Sequence, residues 1–450
     1  MKSIYSRACL NAGGVCLSGD GNQLSIMACS FCGKGRREVK KIITSAHALT
    51  NICNECIVLC YEIITKEDAR EKYIAEIEES YETFYSPIEI KNFLDEEVIN
   101  QDSAKRTISV AVYNHFKRIL NSLNESSDIE IKKSNVLLIG PTGCGKTLIA
   151  ETLAKILNVP FATADATGLT EAGYIGEDVD AILSRLLHEA HGNVERAEKG
   201  IIYIDEIDKI AAKATRGGKA SRDVSGEGVQ QGLLKVIEGS LVNVPIKSKT
   251  KDTVPMNTSN ILFIFGGAFV GLDEFITERT KKGESTLGFG AKVSKENEQE
   301  SISEIFSSVA ATDLIEYGMI PELIGRIPIV VTLEELDRDA LIRILTEPKN
   351  AIIKQFKQLF IMDAVKLEFD QQALEAIADR AIERKTGARG LRVIVEDVLL
   401  DVMFMLPKLA STHSTILVDK EAVESNGQSI CEAIEPPKKP RPRRKRPKKP

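Results

Sequence analysis

The segment Gly140-Pro141-Thr142-Gly143-Cys144-Gly145-Lys146-Thr147 fits the pattern G-x-x-x-x-G-K-[ST], with an apolar run before it and a helical pattern, from Leu148, after it. Such a loop binds phosphate. Its glycines let backbone N–H groups curl around phosphate oxygens, and the helix that follows aims its positive end at them. Lys146 would reach the β- and γ-phosphates of ATP, and Thr147 would hold Mg²⁺. About sixty residues later a second apolar run, Ile201-Ile202-Tyr203-Ile204, ends in Asp205 and Glu206. A buried strand ending on two carboxylates delivers them rigidly beside the phosphates. Asp205 suits the magnesium shell, and Glu206 suits polarising an attacking water. An apolar run followed by Asp-Glu is common by itself. Paired with the phosphate loop, it makes hydrolysis, not nucleotide binding alone, the expected outcome.

A second chemistry is metal binding. Cys29-x-x-Cys32 and Cys53-x-x-Cys56, separated by twenty residues, fit a four-thiolate tetrahedral Zn²⁺ site. Four thiolates close the coordination sphere, so the role expected of the zinc is structural. A short segment with little apolar material needs such a metal to fold. The chain has nine cysteines, an odd number that argues for reduced thiols and a metal site against a disulfide framework.

The elements that must position these groups alternate. VLLIG (136–140), IIYID (201–205) and NILFIFGG (260–267) are short, continuous and apolar, as expected of strands buried on both faces of a parallel sheet. Helical patterns such as LIAETLAKIL (148–157) and VDAILSRLLHEA (179–190) lie between them. This is an α/β pattern with a parallel sheet. Residues 334–423 read as a mostly helical smaller domain with one strand pattern, VKLEF (365–369). The expected order is a leader at 1–28, a zinc-binding domain at 29–62, a linker at 63–95, a large α/β ATPase domain at 96–333, the small domain at 334–423 and a basic tail at 424–450.

Bulk composition agrees with a multidomain globular chain: 450 residues, 43% hydrophobic and 28% charged. No apolar run approaches the roughly 20 residues a membrane helix needs, and the first ten residues lack the apolar core of a secretory signal. The reading is therefore cytoplasmic, with no membrane partner. Residues 436–450 hold nine Lys or Arg and six Pro, and taking those nine charges from the net −6 leaves −15 for the remainder. That tail is an extended, solvated segment. It reads equally as an inert solubiliser and as a contact for nucleic acid, an acidic substrate or an anionic surface.

With these motifs in place, the sequence resembles the AAA+ ATPases, and among them the ClpX family of protein unfoldases, from Cys29 to about residue 423. VINQDSAKRTISVAVYNHFKRI (98–119) is similar to the family's stretch ahead of the phosphate loop, which implies that Val98 and Ile99 flank adenine. The family more often has Gly where this chain has Asn100. GMIPELIGRIP (318–328) resembles the segment carrying an arginine finger, implying that role for Arg326, and KTGARGLR (385–392) resembles the sensor-2 motif, implying a nucleotide contact by Arg389. A guanidinium is always ionised and can bond phosphoryl oxygens bidentately. Either arginine taken alone would read as a surface ion pair.

The resemblance also implies how substrate is held. Gly173-Tyr174-Ile175-Gly176 matches the family's pore loop, a bulky pair between glycines that can grip any extended chain. RDVSGEGVQQ (222–231) resembles a second pore loop, with Arg222 and Asp223 facing the channel. In the region of a third loop, 243–256, the family's Arg-Lys-His is replaced by Lys247, Lys249 and Lys251. Leu287-Gly288-Phe289 sits in an otherwise polar, charged stretch, 278–300, where two large apolar side chains have a partner's hydrophobic cleft as their natural destination. The family docks an aliphatic-Gly-Phe tripeptide into the ClpP peptidase. The implied protein is a homohexameric ATP-driven unfoldase whose zinc domain dimerises and captures protein substrates or adaptors. The rival readings are a remodelling chaperone that works without a peptidase and a nucleic-acid-directed AAA+ ATPase.

Overall fold

The computed structural model describes residues 28–45, 50–61, 85–123, 129, 131–169, 179–211, 224–245, 253–284, 302–409 and 415–430. The chain divides into two units, 1–84 and 85–450.

In the first unit, strands β1 (Ile42–Thr44) and β2 (Asn51–Cys53) form an antiparallel pair, with Ile42 opposite Cys53. Its small core consists of Cys29, Val39 and Cys53, with Ile42 and Cys56 packed against it. Among the described residues, these three buried ones are far too few to hold a fold by burial alone.

The second unit is built on a five-stranded parallel sheet. Strands β3 (Val136–Ile139), β4 (Phe161–Asp165), β5 (Ile201–Asp205), β8 (Leu262–Gly267) and β9 (Ile329–Thr332) lie in the order β4-β5-β8-β3-β9. The period of two is visible in the packing. Leu137, Ile139, Ile202, Ile204, Phe263 and Phe265 face one core. Val136, Leu138, Ile201, Tyr203, Leu262 and Ile264 face the other. Helices cover both faces, so both sides of each central strand are apolar and the runs read as continuous. A separate antiparallel pair, β6 (Leu241–Pro245) with β7 (Thr253–Asn257), forms the arms of a hairpin. Its Lys247, Lys249 and Lys251 lie outside the described residues.

A smaller, mostly helical region follows Leu333. Helices Arg338–Thr346, Ile352–Met362, Gln371–Glu383 and Ala388–Leu409 enclose their own core with the two-stranded parallel pair β10 (Lys366–Phe369) and β11 (Thr415–Val418). Two boundaries differ from the sequence reading. The sequence reading places the helix Pro87–Glu97 mostly in a linker, yet Ile90 and Leu94 are fully buried in the sheet's second core. Its start is fixed by a capping box, in which Ser86 and Glu89 satisfy each other's backbone N–H groups. At the other end, residues 424–430 carry the small region onward, because Ile430 is only 8% exposed and belongs to its core. Among the described residues no helix is long and apolar enough to cross a membrane.

Candidate functional site

The carboxyl ends of β3, β5 and β8 converge, and the candidate nucleotide groups emerge there. The phosphate loop leaves β3 with the Gly140 N–H donating to the Gly267 carbonyl of β8 at 3.2 Å. It turns through Gly143, at φ +81°, and Gly145, at φ +106°, into the helix Lys146–Ile156. Lys146 is buried and curls over its own loop, its Nζ donating to the carbonyls of Gly140 at 2.6 Å and Pro141 at 2.9 Å. Those are bonds an anion can replace. The Cys144 side chain packs in the core beneath the loop, and burial pushes its thiol pKa up. Pro141 and Thr142 line the cavity beside the loop, and Leu148 is exposed on the helix's first turn.

Asp205 ends β5 directly opposite. Its Oδ2 accepts from the Thr147 hydroxyl at 3.4 Å, while Oδ1 accepts from the Tyr203 hydroxyl and the Glu206 N–H, each at 3.0 Å. Thr147 and Asp205 are thus paired as two oxygen donors for a hard cation would be. Glu206 is exposed and sits in the left-handed region at φ +54°. A non-glycine residue held there costs on the order of 1–3 kcal/mol.

The small region reaches this loop. The Ala388 N–H donates to the Gly143 carbonyl at 3.3 Å. A Cβ on Gly143 would lie 2.7 Å from the Thr386 carbonyl oxygen, and one on Gly387 would lie 2.9 Å from the Thr142 carbonyl oxygen. Only glycine on both sides allows this approach. Arg389 follows Ala388 at the start of the helix Ala388–Leu409 and is exposed. A cavity of about 790 Å³ opens between the loop and the small region, lined among others by Thr142, Gly143, Leu333, Asp337, Lys385 and Gly387.

Other expected residues lie elsewhere. Val98 and Ile99 are 3% and 7% exposed and border a separate cavity of about 320 Å³ with Asn100 and Arg343. The structure therefore does not bring them onto the cavity that touches the phosphate loop. Arg326 precedes β9, at the end of the sheet opposite the phosphate loop, because β9 and β3 run parallel. Its guanidinium pairs with Glu238 at 2.7 Å, both side chains about half exposed, and its carbonyl accepts from the Asn135 amide at 2.8 Å. Within one chain it cannot serve its own loop. Tyr174, Ile175, Arg222, Asp223, Leu287, Gly288 and Phe289 lie outside the described residues.

Sequence reasoning missed the groups that brace the site. Tyr203 read only as part of an apolar strand. Gln101 clamps residue Glu334, where the two regions join, donating to its carbonyl at 2.8 Å and accepting from its N–H at 2.9 Å. Asn100, at φ +56°, accepts from Arg343 of the small region at 2.9 Å. The one available signal was the departure from glycine at 100, since Asn is among the residues that tolerate positive φ.

The metal centre is in the first unit. The sulfurs of Cys29, Cys32, Cys53 and Cys56 all lie within 4.8 Å of one another. Cys29 Sγ is 3.8 Å from Cys56 Sγ, and Cys32 Sγ is 3.7 Å from Cys53 Sγ. Four Zn–S bonds of about 2.3 Å at tetrahedral angles put sulfurs about 3.8 Å apart, so the cage fits Zn²⁺. Backbone N–H groups turn toward the sulfurs, Cys53 to Cys29 at 3.3 Å and Cys56 to Cys53 at 3.4 Å. Burial pushes the Cys29 thiol up, but the surrounding backbone donors outweigh it and hold it at about 6, whereas burial and the neighbouring sulfurs push the Cys56 thiol up.

Comparison with known families follows this layout. The model of the ClpX C4-type zinc finger matches residues 27–66. That of the AAA domain (Cdc48 subfamily) matches residues 131–330, spanning the sheet and the phosphate loop. That of the C-terminal, D2-small domain of ClpB matches residues 336–416.

Proposed function

Because the chain is a ClpX-like AAA+ protein, and so an ATPase, we propose that it uses ATP hydrolysis to unfold protein substrates and thread them through a homohexameric pore into a ClpP-type peptidase. Lys146 exchanges its two carbonyl partners for phosphate oxygens, and the N–H groups of the loop from Gly140 to Thr147 wrap the same anion. Thr147 and Asp205 would hold Mg²⁺, which when bound would supply positive charge beside the phosphates. Glu206 takes a proton from the attacking water. Arg326, turned away from its own loop, reaches the nucleotide of a neighbouring copy, and Arg389 reports the nucleotide from the small domain. Tyr174 and Ile175 grip the substrate, Arg222 and Asp223 line its path, and Leu287-Gly288-Phe289 docks the peptidase. The zinc domain gathers substrates or adaptors.

One observation carries this reading: the phosphate loop touches the small domain directly, backbone to backbone, at Gly143 and Ala388. Nucleotide bound at the loop therefore sits beside a direct contact between the two domains, which supports coupling of hydrolysis to their relative motion. Motion of that kind is what pulling a polypeptide requires.

The test is ATP-dependent degradation of a stably folded, tagged reporter by the purified protein with ClpP, comparing wild type with Phe289→Ala. The expected result is degradation that needs ATP and disappears in the variant while hydrolysis continues. Hydrolysis without degradation in the wild type, across several tags, would count against delivery to a peptidase.

A further inference from the structure

We propose that Tyr203 is a positioning residue for the divalent cation of the ATPase site, fixing the Asp205 carboxylate so that one oxygen is left to face the metal; this rests on the nucleotide-site reading above. Tyr203 is two residues before Asp205 on β5, so both side chains point to the same face of the sheet. It is 1% exposed and packs in the core that also holds Cys144 of the phosphate loop. A buried tyrosine needs a partner for its hydroxyl, and this one donates to Asp205 Oδ1 at 3.0 Å. The Glu206 N–H donates to the same oxygen at 3.0 Å.

The consequence is an asymmetric carboxylate. Oδ1 carries two donors and is saturated on its buried side. Among the described residues Oδ2 has only the Thr147 hydroxyl, at 3.4 Å, and Thr147 is the other candidate cation ligand. In a Tyr203→Phe variant, Oδ1 would keep a single donor and the carboxylate would be freer to rotate about χ2. The neighbouring strand makes room for the hydroxyl. A Cβ on Gly266 of β8 would overlap the Tyr203 hydroxyl and come within 3.1 Å of Asp205 Oδ1. Gly266 and Tyr203 therefore form one fitted pair. The phenylalanine ring of that variant would fill the same apolar space, so the hydroxyl's work is on Asp205 and not in packing.

Groups that orient a metal ligand typically change metal affinity by about 10–100-fold when removed. The experiment titrates Mn²⁺ into the full-length protein with ADP and follows free Mn²⁺ by electron paramagnetic resonance, alongside ADP affinity in EDTA. Tyr203→Phe should weaken Mn²⁺ about tenfold and leave ADP affinity in EDTA unchanged. Mn²⁺ affinity equal to wild type in folded Y203F would overturn the role of Tyr203. Should Asp205→Asn also leave Mn²⁺ affinity untouched, the failure belongs to the nucleotide-site reading itself, and the proposal falls with it.

Discussion

The amide of Ala388 donates to the carbonyl of Gly143 across 3.3 Å, joining the start of a small-domain helix to the turn of the phosphate loop. The contact is close enough that neither Gly143 nor Gly387 can carry a side chain without meeting the opposing backbone. Gly143 also sits at φ +81°, where an L side chain is strained. We predict that Gly143→Ala lowers stability by about 1–3 kcal/mol and weakens ATP binding. Gly168→Ala, whose Cβ would meet nothing within 4 Å, should do neither. Thermal unfolding and nucleotide titration of the two variants check this, and equal behaviour would show that the apposition does not matter.

Glu206 is exposed at the end of β5, beside the Asp205 carboxylate, and is held in the left-handed conformation. A carboxamide there keeps the shape and removes the base. Glu206→Gln is expected to bind ATP as the wild type does and to hydrolyse it about 10²–10⁴-fold more slowly. Single-turnover hydrolysis with parallel binding measurements separates the two effects. Hydrolysis at the wild-type rate would remove Glu206 from the chemistry.

The four-cysteine cage should hold one Zn²⁺ per chain, and the metal should supply on the order of 10 kcal/mol to a unit with almost no core of its own. Cobalt substituted for zinc should give the intense charge-transfer bands of a tetrathiolate site, and Cys32→Ser should weaken them sharply. Chelation should melt the strands around Cys53 while leaving ATP binding by residues 85–450 in place. Unchanged amide exchange in the β1–β2 pair after full metal removal would contradict the structural role.

His115 provides a pH test of the fold. It is 3% exposed, its Nε2–H donates to the Asn260 carbonyl at 3.1 Å, and its Nδ1 has no partner among the described residues. Burial, with the nearby charges of Arg118 and Lys133, lowers its pKa from 6.5 to about 3. The folded protein therefore keeps the ring neutral, while below pH 6.5 the unfolded chain takes up a proton that the folded state refuses. Stability is complete above about pH 6.5 and falls as the pH drops towards 3, by up to about 1.4 kcal/mol per pH unit. Between pH 7.5 and 5.5, wild type should lose about 1.4 kcal/mol more than His115→Gln in urea unfolding. Identical losses would mean the ring titrates freely in the folded state.

Much of this was legible in the sequence because the chemistry is local. The phosphate loop, Asp205 and the cysteine pairs each need particular residue types at fixed spacing, and the sheet strands are apolar on both faces. Their mutual geometry was not legible. Nothing near Tyr203 in the sequence marks its hydroxyl as a partner of Asp205, because that role depends on Gly266, 63 positions away on a neighbouring strand. The clamp of Gln101 on Glu334 spans 233 positions. Domain edges were misplaced where polar sequence hides a few buried anchors: Ile90 and Leu94 at one end, Ile430 at the other. Val98 and Ile99 are apolar and buried, and apolar character alone does not say which cavity they border.

We propose that ATP hydrolysis at this site drives the unfolding of proteins. The most direct measurement is loss of native fluorescence from a stable, tagged β-barrel reporter, mixed with the full-length protein, ATP and a trap that holds unfolded chains. The expected result is loss that requires ATP, proceeds with wild type and is abolished by Glu206→Gln. Steady ATP hydrolysis by wild type with the reporter's fluorescence intact, across several terminal tags, would contradict it.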